Sequence, residues 1–285
     1  MRVSHGFPST KWQLVKHYAI LTAVSVIVLF PFYWMFVTSV KPPEDILRTP
    51  PNWWPTAMEV VNYVKIWTTI PLFIYLKNSL LYAALSTALC VVLSGFAAYS
   101  LSRFRFKLRK LSIMAFLTSQ LVPGTLTIIP FYFMMYNMGL NNTVIGIVLA
   151  YSIWAVPFCT LMLRGYLASA IPVSLEESAT IDGCNKLGIF FRIALPISLP
   201  GIVATAIFSF ILAWNEFMWA SIILTKSGYK PLSVGMYDYI GKTGVTPAIS
   251  LYMATAVIAT IPSLIVFGIA QKHLVNGLTA GAVKG

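Results

Sequence analysis

The sequence predicts an all-α integral membrane protein that crosses the bilayer six times. Its composition is 58% hydrophobic and only 10% charged, whereas soluble domains carry about 25% charged residues. Stretches of roughly twenty apolar residues, the length that crosses a bilayer, recur along the chain. Lys and Arg are concentrated in alternate connections between these stretches. Together these observations exclude an ordinary soluble domain.

The positions of the apolar stretches predict the domain organisation. The first stretch follows a short polar segment, 1–17, and is too long for a signal-peptide core, so we expect it to remain as a helix. A proline-rich outer segment, 41–71, separates the first two spans. The transmembrane domain then covers 18–270, and a polar tail occupies 271–285. The spans are expected near 18–40, 76–101, 111–135, 143–163, 197–224 and 250–270.

The orientation follows from Lys and Arg, which are enriched in cytoplasmic connections. With the N-terminus inside, 13 of the 20 Lys and Arg lie in cytoplasmic segments and 7 in outer segments. Five of the 13 stand in residues 103–110. We therefore expect both termini in the cytoplasm. The net charge of +12 is then a signal of topology, and we expect no nucleic-acid partner.

The third predicted span is interrupted by Pro123-Gly124 and again by Pro130. Backbone groups freed by a broken helix are tolerated only against protein or a water-filled cavity, and interrupted spans often mark transport paths. Gln120 and Thr125, which flank the first interruption, are therefore candidates for a path through the membrane. The alternative is a proline kink packed inside the helix bundle.

A polar interruption, 171–200, separates the fourth and fifth spans. Ser174 and Glu177 have the S-x-x-E spacing of a capping box, in which the serine hydroxyl and the glutamate each accept a backbone N–H. Glu176 and Glu177 fall in the first turn of the expected helix, where the helix dipole favours negative charge. This pattern predicts a helix that starts at Ser174.

Two further signals end this helix and start another. We expect the first helix to run to about Asp182 and to stop at Gly183, since glycine readily adopts the left-handed conformation that closes a helix. A second short helix is expected from about Asn185 to Leu195-Pro196. The predicted object is two short helices joined by a tight turn, with a membrane span on either side.

Glu216 is the only acidic residue inside a predicted span. A charged residue at a helix centre costs about 2.5–3.5 kcal/mol on insertion scales, and such residues usually face the bundle interior or a wet cavity. Glu216 and its neighbour Asn215 are therefore candidates for the wall of a transport path. The alternatives are a structural hydrogen bond between helices and packing against a partner subunit.

Parts of the interruption resemble the EAA loop of ABC importer permeases: Glu177-Ser178-Ala179, Asp182-Gly183 and Ile193-Ala194-Leu195-Pro196. In that family the loop is a cytoplasmic coupling helix that docks into a groove on the ATPase subunit. Family members usually read Glu-Ala-Ala, so Ser178 departs from the pattern, but serine is also small and we expect docking to survive. The resemblance assigns ATPase coupling to Glu176, Glu177, Ser178, Ala179, Asp182, Gly183, Leu195 and Pro196.

Further stretches resemble the maltose-type, carbohydrate-importing branch of these permeases, specifically its MalG-like members. They include Ile129-Pro130, Gly139-Leu140-Asn141-Asn142-Thr143 and Trp214-Asn215-Glu216-Phe217. The branch's tail, which reaches into the ATPase dimer interface, is similar to residues 277–285. The resemblance thus implies contacts with the ATPase at Gly277, Thr279, Gly281 and Lys284. It also implies a sugar or sugar-like cargo, on whose ring Trp214 could stack.

The resemblance implies a type I importer permease in a bacterial inner membrane. It would pair with a homologous permease, a dimer of ATPase subunits and an extracytoplasmic solute-binding protein. The chain contains no G-x-x-x-x-G-K-[ST] motif, so it cannot cradle ATP phosphates by a P-loop. The resemblance implies ATP with Mg²⁺ on the partner ATPase subunits, and we expect no cofactor or metal on this chain and no catalysis by it. The alternative is an ion-gradient-driven secondary transporter, which would need several intramembrane acidic or histidine residues. A membrane-embedded enzyme would need a titratable cluster that the sequence does not offer.

Overall fold

The computed structural model describes residues 11–282, with side chains up to residue 269 and at residue 271. Within this range every regular element is helical and no strand is present. From Lys11 onward the predicted N-terminal segment already belongs to the first helix. Lys284 lies outside the described residues. At Gly277, Thr279 and Gly281 the structure describes only the helical backbone and no surroundings. The predicted tail contacts therefore stay predictions.

The described helices are joined by short connections. In chain order they are α1 (Lys11–Ser39), α2 (Pro43–Ile46), α3 (Asn62–Thr69), α4 (Leu72–Arg103), α5 (Arg109–Ser119), α6 (Gly124–Asn137), α7 (Val144–Ala170), α8 (Val173–Ile181), α9 (Lys186–Ile189), α10 (Leu195–Ile197), α11 (Leu199–Asn215), α12 (Met218–Ile223), α13 (Leu232–Gly235), α14 (Asp238–Thr243) and α15 (Val245–Ala282). A π-helical turn, Phe190–Ala194, links α9 to α10, and a 3₁₀ turn, Ser227–Tyr229, precedes α13.

Four helices in the described part of the chain are long and apolar enough to cross a membrane alone. They are α1, α4, α7 and the stretch Val245–Ile269 of α15. Two further segments pass the same test only as bent pairs, α5 with α6 and Lys186–Ile197 with α11. The all-α membrane fold is thus confirmed, and the count reaches six spans when each bent pair is one span.

The third span is broken where the sequence interrupts it. α5 and α6 meet at an angle of 103°, and Pro123 between them is extended, with φ −60° and ψ 125°. Proline has no amide hydrogen and disfavours helical backbone in the residue before it, so the helix ends there. Pro130, by contrast, lies inside α6 without ending it. The interruption expected at Pro123-Gly124 is therefore confirmed, whereas the one expected at Pro130 is wrong.

The fifth span also differs from its expected course at 197–224. The segment Lys186–Ile197 meets α11 at 77°, with Ser198 at the junction. α11 ends at Asn215, and Glu216 takes an extended conformation with ψ 127° before α12 begins. A helix of 17 residues is about 26 Å long at 1.5 Å per residue. The expected boundaries are corrected to a shorter helix with a break at each end.

The chain divides into two compact units: Met1–Thr69 with Tyr239–Ala259, and Ile70–Asp238 with Thr260–Gly285. In the first unit, hydrogen bonds hold the start of the outer segment. The Asn62 side chain donates to the Ser39 carbonyl at 3.0 Å, and the Ser250 hydroxyl donates to the Lys41 carbonyl at 3.1 Å. The exit of α1 is therefore tied to α3 and to α15.

The second unit is built around α4, α7 and α11, which pack against one another. Near one end of α4 a buried cluster joins these helices to the segment after α8; its members are Ala98, Tyr99, Leu163, Leu167, Ile171, Phe190 and Ala194. A smaller cluster brings Cys90 of α4 next to Ala155 and Cys159 of α7. All three cysteines are free. The first cluster places the polar segment 171–200 directly on the helix bundle.

Candidate functional site: a coupling helix and a broken-span cavity

The helix that resembles the EAA helix starts two residues earlier than the capping-box spacing predicts, since that spacing makes Ser174 the N-cap. α8 begins at Val173, and its N-cap is Pro172, which has extended backbone and no capping side chain. Proline fixes φ near the helical value and cannot continue a preceding helix. The helix therefore starts directly after Pro172. Ser174 is already inside the first turn, and its carbonyl accepts a hydrogen bond from the Ser178 hydroxyl at 3.0 Å. The predicted capping box is wrong.

The end of α8 agrees with the prediction. Gly183 has φ +85°, a left-handed conformation that residues with a Cβ rarely adopt. Its amide donates to the Thr180 carbonyl at 3.1 Å, and the Cys184 amide donates to the Ala179 carbonyl at 2.9 Å. These two bonds form a Schellman motif. The following helix, α9, is capped by the Asn185 side chain, which accepts the Gly188 amide at 2.7 Å, so the predicted tight turn is confirmed.

Glu176 anchors α8 to the helix bundle. Its carboxylate lies 2.7 Å from Nε of Arg103, the last residue of α4. Both side chains are buried, with exposed fractions of 8% and 10%. The Tyr99 hydroxyl, one turn earlier on α4, donates to the other carboxylate oxygen at 3.4 Å. A buried ion pair of this kind is costly to break, because removing one partner leaves the other charge uncompensated.

Arg103 also binds the end of α7. Its Nη2 atom donates to the carbonyls of Leu167, at 3.3 Å, and Ile171, at 2.7 Å. A cation at the C-terminus of a helix is favoured by the helix dipole and satisfies carbonyls left without partners. One guanidinium thus connects α4, α7 and α8. The sequence analysis used Arg103 only as one of the charges that indicate the orientation in the membrane. Its position directly after a span was the signal that could have marked it.

The other side of α8 faces outward. Glu177, Ser178 and Asp182 are exposed, whereas Ala179 is buried against the bundle. Ile181 has 87% of its surface exposed and is the most exposed apolar residue of α8. Leu195 packs against the buried cluster behind the loop, and Pro196 is exposed. The predicted coupling residues therefore divide into an anchoring side and an exposed side.

The second candidate region is the break between α11 and α12, where Glu216 lies. Its two carboxylate oxygens accept the backbone amides of Trp219, at 2.9 Å, and Ala220, at 3.0 Å. Its own carbonyl accepts the Ser233 hydroxyl at 2.6 Å. Glu216 therefore closes the first turn of α12, a structural role the sequence analysis did not foresee in this form.

A cavity of about 150 Å³ adjoins Glu216. Besides Glu216 it is lined by Tyr151 and Trp154 of α7, by Leu212 and Ala213 of α11, and by Trp219 of α12. The Tyr151 hydroxyl is buried and interacts with the Glu216 carboxylate. The Trp154 indole nitrogen is buried and has no hydrogen-bond partner within the described residues, whereas buried polar atoms are almost always paired with protein or with water. The cavity thus combines a carboxylate with a neighbouring hydroxyl, aromatic rings and one unused donor.

The break in the third span lies against the same aromatic residues. A Cβ at Gly124 would stand 3.9 Å from the Trp154 ring, and Phe131 packs edge-on against Trp219 with ring centroids 4.7 Å apart. Gln120 and Thr125 themselves are exposed. Neither lines this cavity.

Trp214 and Asn215 do not line the cavity either. Trp214 is buried and stacks on Phe210, while the Asn215 amide donates back to the Ile211 carbonyl of its own helix. Sequence reasoning missed Tyr151 and Trp154. Their spacing of three residues puts them on one helix face, which was a signal, but an aromatic pair of this kind is common in packed spans.

The side chains described here offer no group of three or more His, Cys, Asp or Glu that could hold a metal ion. The interactions that the described side chains offer are hydrogen bonds and aromatic contacts.

The fold is similar to that of a known importer. The structure matches a chain of a bacterial ABC transporter involved in the import of the acidic polysaccharide alginate, with a TM-score of 0.77, 21% identity, and coverage of 94% of this chain and 98% of that one. At that identity the match shows the fold.

The sequence itself matches curated proteins along nearly its whole length. It is 35% identical to the sulfoquinovosyl glycerol transport system permease protein SmoH of Agrobacterium fabrum, over 90% of this chain and 89% of that one. It is 36% identical to the trehalose/maltose transport system permease protein MalG of Thermococcus litoralis, over 92% and 94%. It is 33% identical to the diacetylchitobiose uptake system permease protein DasC of Streptomyces coelicolor, over 93% and 96%.

The family comparison agrees with these matches. Residues 90–280 match the family described as binding-protein-dependent transport system inner membrane component. That range contains the broken spans, the coupling-like helix α8 and the Glu216 cavity. The chain therefore belongs to the binding-protein-dependent transport system inner membrane components, the permease family of ABC importers, with MalG-like relatives.

Proposed function

We propose that this chain is one of two permease subunits of an ABC importer for a sugar or sugar-like solute. Three of its relatives are permeases for sulfoquinovosyl glycerol, diacetylchitobiose and trehalose or maltose. A homologous permease would complete the path, and a separate ATPase dimer would bind ATP and Mg²⁺. An external binding protein would deliver the solute. The chain itself would make and break no covalent bond.

The observation that carries the proposal is the two-sided character of α8. Glu176 is held by Arg103, whereas Glu177 and Ile181 project outward. An element that is rigidly anchored on one side and exposed on the other can transmit a push without being deformed. In our proposal the exposed side of α8 docks on the ATPase, and Arg103 transmits the displacement of α8 to α4 and α7.

Transport would then follow from closure of the ATPase dimer. ATP favours the closed dimer, and the docked α8 couples this preference to the orientation of the spans. A ligand can shift such an equilibrium only by as much as it prefers one state over the other. Rigid-body movement of helices is a common form of such switching. This scheme needs no titratable residue inside the spans.

The orientation in this proposal places α8 and both termini in the cytoplasm. It is supported by the distribution of Lys and Arg between alternate connections, because positive charge is enriched on the cytoplasmic side. Residues 103–110, which carry five cations, run from the end of α4 to the start of α5. α8 would then lie on the side of the membrane where ATP is found.

The solute path in this proposal runs past the Glu216 cavity. Its carboxylate, the Tyr151 hydroxyl and the unpartnered Trp154 indole nitrogen could exchange hydrogen bonds with hydroxyl groups, and aromatic faces suit the apolar faces of sugar rings. Gln120, Thr125 and Asn215 are exposed and could line the path where a second permease faces them. Trp214 is assigned to packing.

The test is co-purification of the tagged chain in mild detergent. We expect a P-loop ATPase, identified by sequence, to accompany the wild-type chain and to be lost with Glu177→Arg. Glu44→Arg is the matched control, because Glu44 is also exposed but lies in α2 after the first span. Equal retention of the ATPase by both variants would overturn the assignment of α8. Absence of any ATPase from the wild-type preparation would overturn the importer assignment.

A further inference from the structure

A polar cavity of about 400 Å³ lies between the end of α4 and the coupling helix α8. It is separate from the Glu216 cavity. Its wall contains four cations and two carboxylates: Arg103, Arg105, Arg109 and Lys186 with Glu176 and Glu177. The positive charges outnumber the negative ones, so the cavity favours an anion.

Two of these cations are free to bind a ligand. Arg103 is already paired with Glu176, and the Arg109 Nε atom donates to the Leu101 carbonyl at 2.8 Å. Arg105 and Lys186 take part in no ion pair among the residues described. The Ser102 hydroxyl, which also belongs to the wall, is buried and lacks a hydrogen-bond partner in the described structure. The cavity therefore offers two unpaired cations and one unused hydroxyl.

The segment that carries these cations also exposes apolar side chains. In residues 103–108 cations alternate with Phe104, Phe106 and Leu108, whose exposed fractions are 37%, 42% and 61%. A soluble anion would not account for exposed aromatic and aliphatic groups beside its site. Clusters of Lys and Arg at the cytoplasmic end of a span, by contrast, bind anionic lipid headgroups. A ligand with a phosphate head and acyl chains satisfies both parts of the segment.

We propose that this cavity binds the headgroup of an anionic phospholipid from the cytoplasmic leaflet. The phosphate contacts Arg105 and Lys186, and the acyl chains lie along Phe104 and Phe106. The inference rests on the orientation given under the proposed function. It goes further by giving the importer a lipid ligand next to its coupling helix.

The position of the site gives the lipid a role. The cavity wall includes Arg103 and Glu176, the pair that anchors α8. An anion among the cations stabilises Arg105 and Lys186 close to this pair without competing for the Arg103 Nε atom. Occupancy therefore supports the anchored position of α8, and ATP-driven transport depends on anionic lipid.

The test measures lipid retention by the full-length chain, purified with whatever subunits accompany it. The protein is reconstituted in nanodiscs of phosphatidylcholine with increasing phosphatidylglycerol, and bound lipid is counted by native mass spectrometry. We expect Arg105→Gln with Lys186→Gln to weaken phosphatidylglycerol retention about fivefold for each cation removed, the size expected of a basic side chain near an anionic surface. Arg105→Lys should retain most of the binding.

The matched control is Lys107→Gln with Lys110→Gln, which removes the same charge from the same region outside the cavity wall. An equal loss in this control would show diffuse attraction to the membrane and overturn the site. Unchanged retention in the cavity variant would also overturn it. Displacement of phosphatidylglycerol by free glycerol phosphate would assign the cavity to a soluble anion instead.

The readout separates this inference from the proposed function. Lipid retention needs no ATPase, so its loss in the cavity variant supports the site even if Glu177→Arg leaves ATPase binding intact. If the cavity variant keeps its lipid but loses the ATPase, the cavity belongs to the protein interface and the lipid assignment is overturned.

Discussion

Two glutamates next to the membrane spans, Glu176 and Glu216, lie in opposite environments. Glu176 has a cationic partner at 2.7 Å and is pinned between two helices. Glu216 has no ion pair within the described residues, and two backbone amides bind it at a break in a span. Glu176 is bound directly by Arg103 and Tyr99. Glu216 lies in a cavity wall with the unpartnered Trp154 indole nitrogen.

In our proposal, the difference separates a site that transmits motion from one that accepts a ligand. A satisfied buried ion pair rigidifies its surroundings, which suits an anchor for a coupling helix. A cavity with an unused donor gains hydrogen bonds when a polar ligand or water enters it. On this account, damage near Glu176 should impair stability and coupling together. Damage near Glu216 should separate stability from solute recognition.

The largest expected effect comes from Arg103→Ala. Loss of the guanidinium leaves Glu176 buried without a charge partner, which costs about 3–5 kcal/mol in folding stability, and also releases the carbonyls at the end of α7. Thermal unfolding in detergent measures the loss, and co-purification measures the effect on the ATPase. Lys107→Ala, an exposed cation nearby, is the control. Equal stability of the two variants would show that Glu176 is not an anchor.

An intermediate effect is expected from Glu216→Ala, which sharpens the comparison. It leaves the amides of Trp219 and Ala220 without acceptors, at a cost of about 1–3 kcal/mol for each group that stays buried and unsatisfied. Tyr151→Phe is the matched test of the cavity, because it removes a hydroxyl from the cavity wall. Because the Tyr151 hydroxyl also interacts with Glu216, we expect Tyr151→Phe to lose less stability than Glu216→Ala and yet to raise the KM for uptake several-fold. A Tyr151→Phe variant as destabilised as Glu216→Ala, with normal uptake, would assign the cavity to packing.

Gly183→Val should lower the free energy of unfolding by less, about 1–2 kcal/mol, because a residue with a Cβ is strained in the left-handed conformation. The added side chain meets nothing within 4 Å of its Cβ, so the cost is backbone strain alone. Asn tolerates this conformation better than Val, and Gly183→Asn should therefore lose less ATPase in co-purification than Gly183→Val. Identical behaviour of the two variants would show that the turn adjusts freely.

The smallest effect concerns a third carboxylate, Asp45, which lies outside the spans. Hydrogen bonds from the Thr56 hydroxyl, at 2.6 Å, and the Thr56 amide, at 2.9 Å, hold its pKa below the usual range, with help from Asn52 and Arg48. A depressed pKa stabilises the fold at every pH above the ordinary carboxylate value. That stability is lost as the pH falls through the lowered pKa.

The amide protection factors of the segment 41–71, which correct for the intrinsic exchange rate at each pH, should therefore fall on strong acidification. In Asp45→Asn the protection factors should be lower at neutral pH and respond less to acid. An acid response of equal size in both proteins would assign it to other groups. This carboxylate is thus held mainly by hydrogen bonds, as Glu216 is.

The sequence predicted what depends on local patterns and missed what depends on long-range pairing. Hydrophobic stretches, Pro123, Gly183 and Asn185 act through neighbouring backbone, so their effects were predictable. The Arg103–Glu176 pair joins residues 73 positions apart, and no local rule connects them. The capping box failed for a local reason, because Pro172 started the helix before Ser174 could cap it.

The Glu216 region shows the same limit. Composition indicated that an acidic residue in a span needs a special environment, and this was sufficient to mark Glu216. It could not indicate that the carboxylate would bind backbone amides, because that depends on the break between α11 and α12. Tyr151 and Trp154 join Glu216 only through the packing of α7 against α11.

The central claim, that the exposed side of α8 contacts an ATPase, is tested most directly by site-specific photo-crosslinking. A photoreactive amino acid is placed at Ile181, the most exposed apolar residue of α8, and in a separate protein at Glu44. Our account predicts a crosslink from position 181 to a P-loop ATPase, with a yield that changes with the bound nucleotide. It predicts no ATPase crosslink from position 44. A crosslink from position 181 only to lipid, or an ATPase crosslink from position 44, would contradict it.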